Sequence, residues 1–111
     1  MCNIDGIHYS ATTTELDLGD NRLTTTSLPS QIGKLISLMK LNLWYNYLST
    51  LPPQIGKLTA LQTLILSSNQ LKTLPPEIGK LTALQTLDLG ENLLSTLPPQ
   101  IGKLKALKIL R

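Results

Sequence analysis

The sequence predicts an α/β solenoid, and three observations carry that prediction. Residues 51–69, LPPQIGKLTALQTLILSSN, return nearly letter for letter at 74–92 as LPPEIGKLTALQTLDLGEN, and the pattern starts again at Leu97. Asn46, Asn69 and Asn92 fall 23 residues apart, and Ile32, Ile55, Ile78 and Ile101 keep the same step, each followed by Gly and Lys. A fixed period of roughly 20–29 residues marks stacked coils, in which one unit buries too little apolar surface alone and shares a continuous core with its neighbours.

Each part of the unit has a physical reading. Leu64 and Leu66 bracket one residue, the alternation of a short strand with one buried face. Asn69 follows where the chain must leave the strand, and its amide can both donate to and accept from the turning backbone. Pro75 and Pro76 forbid strand continuation and suit the first turn of a short helix or 3₁₀ segment. Leu58 to Leu61 and Leu81 to Leu84, each three apart, return apolar groups inward before the next strand. On this pattern residues 1–12 form an N-terminal capping segment, and 13–111 form the repeat domain, four coils plus the start of a fifth. Asn21 to Pro29 is eight residues where Asn46 to Pro52 is six, so TTTSLP at 24–29 carries a two-residue insertion on the turn side. The chain stops at LKALKILR, inside a strand motif. An open C-terminal edge is therefore expected, belonging to a longer array or available for self-association.

The full unit, L-x-x-L-x-L-x-x-N-x-L-x-x-L-P-x-x-I-G-x-L, is displayed by Leu61, Leu64, Leu66, Asn69, Leu71, Leu74, Pro75, Ile78, Gly79 and Leu81. It resembles the leucine-rich repeat, in the 23-residue intracellular class with the L-P-x-x-I-G-x-L signature found in Ras-group scaffold proteins, their plant relatives and many bacterial proteins. The resemblance covers residues 13–111. It implies a right-handed superhelix with parallel β-strands on the concave face and short helical or 3₁₀ segments on the convex face. It also implies a non-catalytic protein–protein interaction module in signalling or scaffolding.

Residues 2–9, CNIDGIHY, resemble the C-x-W-x-G-V-x-C opening of plant receptor ectodomains at Cys2, Gly6 and Ile7, with Ile4 and Tyr9 standing where Trp and the second Cys would be. That feeds the alternative: a fragment of a larger leucine-rich-repeat receptor or receptor-like kinase whose catalytic part lies outside this chain. As a cap, Ile4, Ile7 and Tyr9 would form one strand over the first coil.

Composition narrows the classes further. Ten Lys plus Arg against seven Asp plus Glu give a net charge of +3, too little by itself to argue for nucleic acid. A single cysteine, no basic-then-apolar start and no Asn-x-Ser/Thr sequon make the cytoplasm the expected compartment, or the extracellular side of a membrane if the receptor alternative holds. No apolar run is long enough for an integral membrane segment. His8 is the only histidine and Cys2 the only cysteine, so neither a nucleophile–base–orienter set nor a metal site is expected. The Gly-Lys pairs lack the earlier Gly and the following Ser/Thr of a phosphate loop. No catalytic residue and no cofactor is expected.

What remains is a surface. The x positions of the strand motif would line the concave face, placing Glu15, Lys40, Thr63 and Thr86 in one column and Asp17, Asn42, Ile65 and Asp88 in the next. Trp44, Tyr45 and Tyr47 gather the only Trp and two of the three Tyr, with Trp44 at an x position rather than a Leu slot. Trp and Tyr are enriched at binding hot spots. Asp17, Asp20, Asp88 and Glu91 would make this face acidic and set a partner's orientation, while the I-G-K lysines repeat on the convex side. Partner binding is thus expected at Trp44, Tyr45, Tyr47, Ile65, Asn42, Asp17, Asp20, Asp88 and Glu91, by a protein of basic or mixed charge with an apolar anchor and not by nucleic acid. The convex lysines read most simply as a solvated face, with weak contact to an anionic membrane as the second reading.

Overall fold

The computed structural model describes residues 2–4, 7–24, 28 and 30–111. Two short strands, β1 (Cys2–Ile4) and β2 (Ile7–Tyr9), pair antiparallel with Ile4 opposite Ile7. Five more, β3 (Glu15–Asp17), β4 (Lys40–Asn42), β5 (Thr63–Ile65), β6 (Thr86–Asp88) and β7 (Ile109–Leu110), form one parallel sheet in chain order. Between successive strands of that sheet lies a five-residue 3₁₀ segment: Ser30–Lys34, Pro53–Lys57, Pro76–Lys80 and Pro99–Lys103. The result is a right-handed solenoid with strands on the concave face and 3₁₀ turns on the convex face.

The expectation of a short helical or 3₁₀ segment resolves to 3₁₀ in all four coils. In the last three coils the Pro pair favours this, while Ser30 stands in place of the second proline in the first. Pro52, Pro75 and Pro98 hold extended backbone at ψ near 145° immediately before each segment, and the prolines that follow them have no N–H to bond. Each segment then closes tightly, as where the Leu58 N–H donates to the Ile55 carbonyl at 3.1 Å.

Register follows the repeat. Leu16, Leu41, Leu64, Leu87 and Leu110 are successive partners across the sheet, and the first four are buried. Ile32, Ile55 and Ile78 are fully buried behind them, beneath the 3₁₀ turns. On the convex side the coils approach so closely that a side chain at Gly56 would stand 2.9 Å from the Glu77 carbonyl oxygen, and one at Gly33 would stand 2.9 Å from that of Gln54. The glycine of I-G-K is therefore a spacer between coils.

The asparagines stitch one coil to the one before it. Asn69 Nδ2 donates to the carbonyls of Leu43 (2.9 Å) and Leu66 (3.1 Å), while Oδ1 accepts from the Leu48 N–H (3.0 Å). Asn46 bonds Leu18, Leu43 and Leu23 in the same way, and Asn92 bonds Leu66, Leu89 and Leu71. Among the described residues no buried side-chain polar atom lacks a partner.

At the N-terminus the structure corrects the single capping strand. Ile4 and Ile7 lie on two paired strands, with Ile4 buried in the core and Ile7 57% exposed. Tyr9 packs half-buried against the core. Of the expected insertion, Thr25, Thr26, Ser27 and Pro29 lie outside the described residues. Among the described residues no helix is long and apolar enough to cross a membrane.

Candidate binding face

The exposed strand positions form two columns. Glu15, Lys40 and Thr63 are successive partners, continued by Thr86 and Ile109; beside them run Asp17, Asn42, Ile65 and Asp88. A depression of about 310 Å³ opens at the N-terminal end, lined by Glu15, Asp17, Lys40 and Asn42.

The second column has a structural task that its residue types alone do not reveal. Asp17 Oδ1 accepts from the Gly19 N–H, Asn42 Oδ1 from the Trp44 N–H and Asp88 Oδ1 from the Gly90 N–H, each at 3.0 Å. These side chains cap the turn that leaves the strand two residues on. Ile65, half-buried at the equivalent place, offers no such oxygen and leaves an apolar step between Asn42 and Asp88.

The next column is where the aromatics sit. Trp44 follows Gly19 and precedes Ser67 and Gly90 in the repeat, so small residues flank it along the solenoid. Its ring edge lies 3.4 Å from the point a Gly19 side chain would occupy, so the indole leans over the preceding coil. Tyr45 meets it edge-on, with ring centroids 5.3 Å apart and planes at 84°. Trp44 is 44% and Tyr45 52% exposed, and neither ring enters the leucine core.

Tyr45 also shares an unusual backbone conformation with Asp20, Ser68 and Glu91: all four have φ between 53° and 58°. The position just before the asparagine, or its counterpart Asn21, is thus a left-handed turn residue in every coil. Asp20, Tyr45 and Glu91 are held there by the backbone, displaying their side chains from a fixed corner. Glu91 Oε2 accepts from Ser68 Oγ at 3.2 Å, linking two coils along that corner.

The structure brings Trp44, Tyr45, Asn42, Asp17 and Ile65 onto one continuous surface, with Asp20, Asp88 and Glu91 on the same column set toward its two ends. Tyr47 is set apart. It lies past the asparagine turn, where its N–H donates to the Leu23 carbonyl (2.7 Å), and it makes no ring contact with Trp44 or Tyr45. Gly19, Ser67 and Gly90 join the face although sequence reasoning did not single them out. The signal was available: all three share the column of Trp44. Among the described residues no three His, Cys, Asp or Glu side chains cluster in a way that could hold a metal ion.

Comparison with known proteins agrees with this architecture. A family profile described as leucine rich repeat matches residues 11–71, and a second, for two copies of leucine rich repeats, matches 59–101. The chain is similar to a leucine-rich repeat protein of Leptospira interrogans, at 46% identity and a TM-score of 0.85 over 87% of this chain and 24% of that one. It is similar to a plant peptide hormone receptor, RGFR1, solved in complex with RGF2, at 35% identity and a TM-score of 0.78, covering 88% of this chain and 16% of the receptor. The BIR3–SERK2 complex from Arabidopsis thaliana gives 35% identity and a TM-score of 0.73 over 86% of this chain and 52% of the matched one. The chain therefore spans about a quarter or less of the first two. A search of curated proteins finds no match.

Proposed function

The chain belongs to the leucine-rich repeat family, and from that premise we propose that it is a non-catalytic recognition module binding a protein or peptide on its concave face. One observation carries the reading: the Trp44 and Tyr45 rings stand T-stacked and half-exposed on the strand side, propped over Gly19, instead of filling the core. Exposed aromatics held in one geometry supply contact area with little entropy left to lose. Ile65 adds an apolar step nearby, and Tyr47 stands at the lateral rim. Asp17, Asp20, Asp88 and Glu91 give the surface an acidic frame, which selects a partner with basic side chains around an apolar anchor. Similarity to proteins solved with RGF2, or as the BIR3–SERK2 complex, supports the partner being a polypeptide. Signalling or scaffolding in the cytoplasm is the setting we infer.

Peptide display tests the reading. Clones selected on the folded chain are counter-screened on a Trp44→Ser/Tyr45→Ser variant whose fold is checked by circular dichroism. Selected peptides rich in Lys or Arg around an aromatic or aliphatic residue, and lost on the variant, are expected. Clones that bind both proteins equally would refute the aromatic patch as the site. The second reading, a segment of a larger receptor or receptor-like kinase, draws on the likeness to receptor structures, and the reading frame beyond Arg111 tests it.

A further inference from the structure

We propose that the convex face docks on an anionic lipid surface, independently of the concave site. Lys34, Lys57, Lys80 and Lys103 each end a 3₁₀ segment, and all four are exposed. The stems of the last three are ordered by the glycines of the repeat. The Cδ atoms of Lys57, Lys80 and Lys103 lie 3.1, 3.2 and 3.4 Å from the points where side chains on Gly33, Gly56 and Gly79 would begin. Each of these lysines is thus laid over the preceding coil and leans the same way, which sets the side chains in single file, one per coil.

One acid interrupts the row. Glu77 lines a depression with Lys57 and Lys80, and a second one with Lys80 and Lys103. Four cations against one carboxylate on the convex turns stand opposite a strand face where Glu15, Asp17 and Asp88 outnumber the single Lys40. The molecule is therefore polarised across its thickness, and a negative plane would turn the lysine side toward itself and the acidic side away.

A bilayer fits better than a soluble linear polyanion because an exposed apolar side chain stands at one end of the row: Ile36, two residues beyond Lys34, is 60% exposed. A phosphate or sulfate chain in water gives this group nothing, whereas the headgroup boundary takes it up. A basic cluster beside an apolar contact is the two-part signal of interfacial binding.

Vesicle co-sedimentation of the 111-residue chain tests this, with phosphatidylserine in phosphatidylcholine against phosphatidylcholine alone. Partition onto the phosphatidylserine vesicles alone is expected, weakening as salt rises. Lys57→Gln/Lys80→Gln should lower it by about 25-fold, about fivefold per lysine, and the Arg double variant should retain it. Glu77→Gln should raise it, and Ile36→Ser should lower it. Trp44→Ser/Tyr45→Ser should leave it unchanged, which separates this proposal from the concave reading. Equal binding to both vesicles, no loss in the Gln variant, or capture by soluble heparin with none by vesicles would overturn it.

Discussion

Residues 51–58 and 97–104 are the same eight letters, LPPQIGKL, folded into the same 3₁₀ turn, and they live in different surroundings. Leu51 is 2% exposed and Leu97 39%; Ile55 is fully buried and Ile101 only half. A side chain on Gly56 would meet the Glu77 carbonyl oxygen at 2.9 Å, while one on Gly102 would meet nothing within 4 Å. Identical local chemistry thus makes the same backbone in both places. What differs is the following coil, which covers the first copy, whereas within residues 1–111 no complete coil covers the second. In this fold the secondary structure is written in the unit, whereas the burial is supplied by the neighbour.

The largest effect that separates the two copies should come from the core isoleucines. Ile55→Ala empties a fully buried site and should cost about 3 kcal/mol in urea unfolding, whereas Ile101→Ala should cost about 1 kcal/mol because half its surface already meets water. Equal losses would mean that the last coil is as well packed as the interior. Asn69→Ala should follow at about 2–3 kcal/mol, since it strands the Leu43 and Leu66 carbonyls and the Leu48 N–H at once. Asn92→Ala strands an equivalent set, but Asn92 is only half-buried, so water can replace part of what is lost and the cost should be smaller.

The glycines should change sign between the copies. Gly56→Ala forces backbone apart between coils and should destabilise by about 1–2 kcal/mol. Gly102→Ala meets open space and should be neutral or stabilising by up to about 1 kcal/mol, through the reduced freedom of the unfolded chain. Loss of stability in both would show that the glycine serves its own turn rather than the approach of the next coil.

The same contrast explains what could be read from the letters. Leu slots, the asparagine turn and the Pro-Pro entry are properties of one unit, so the solenoid, its register and its two faces were legible. Ile7 was not, because an isoleucine near a terminus gives no sign that its strand partner Ile4 takes the core and leaves it outside. In the candidate site, Trp44 was legible as an aromatic at a position where leucine is not called for. The turn-capping work of Asp17, Asn42 and Asp88 was hidden, because an acid that bonds its own backbone and an acid that awaits a partner look alike. The left-handed corner was hidden too. Asp20, Tyr45, Ser68 and Glu91 occupy it, and no glycine marks it.

That corner provides the finest contrast. Asn tolerates left-handed backbone better than Tyr or Glu, because its short side chain bonds locally. Glu91→Asn should therefore be neutral or stabilising by a few tenths of a kcal/mol, the relief offset by the exposed Ser68 hydroxyl contact. Tyr45→Asn gains the same relief but forfeits the edge-on contact with Trp44, worth about 0.5–1.5 kcal/mol. It should therefore be the less stable of the two, and it should also loosen the Trp44 ring, which indole fluorescence reports directly. If Tyr45→Asn proves as stable as Glu91→Asn and leaves the emission unshifted, the two rings do not hold each other. Trp44 would then be positioned by Gly19 alone, and Gly19→Val becomes the substitution that displaces it.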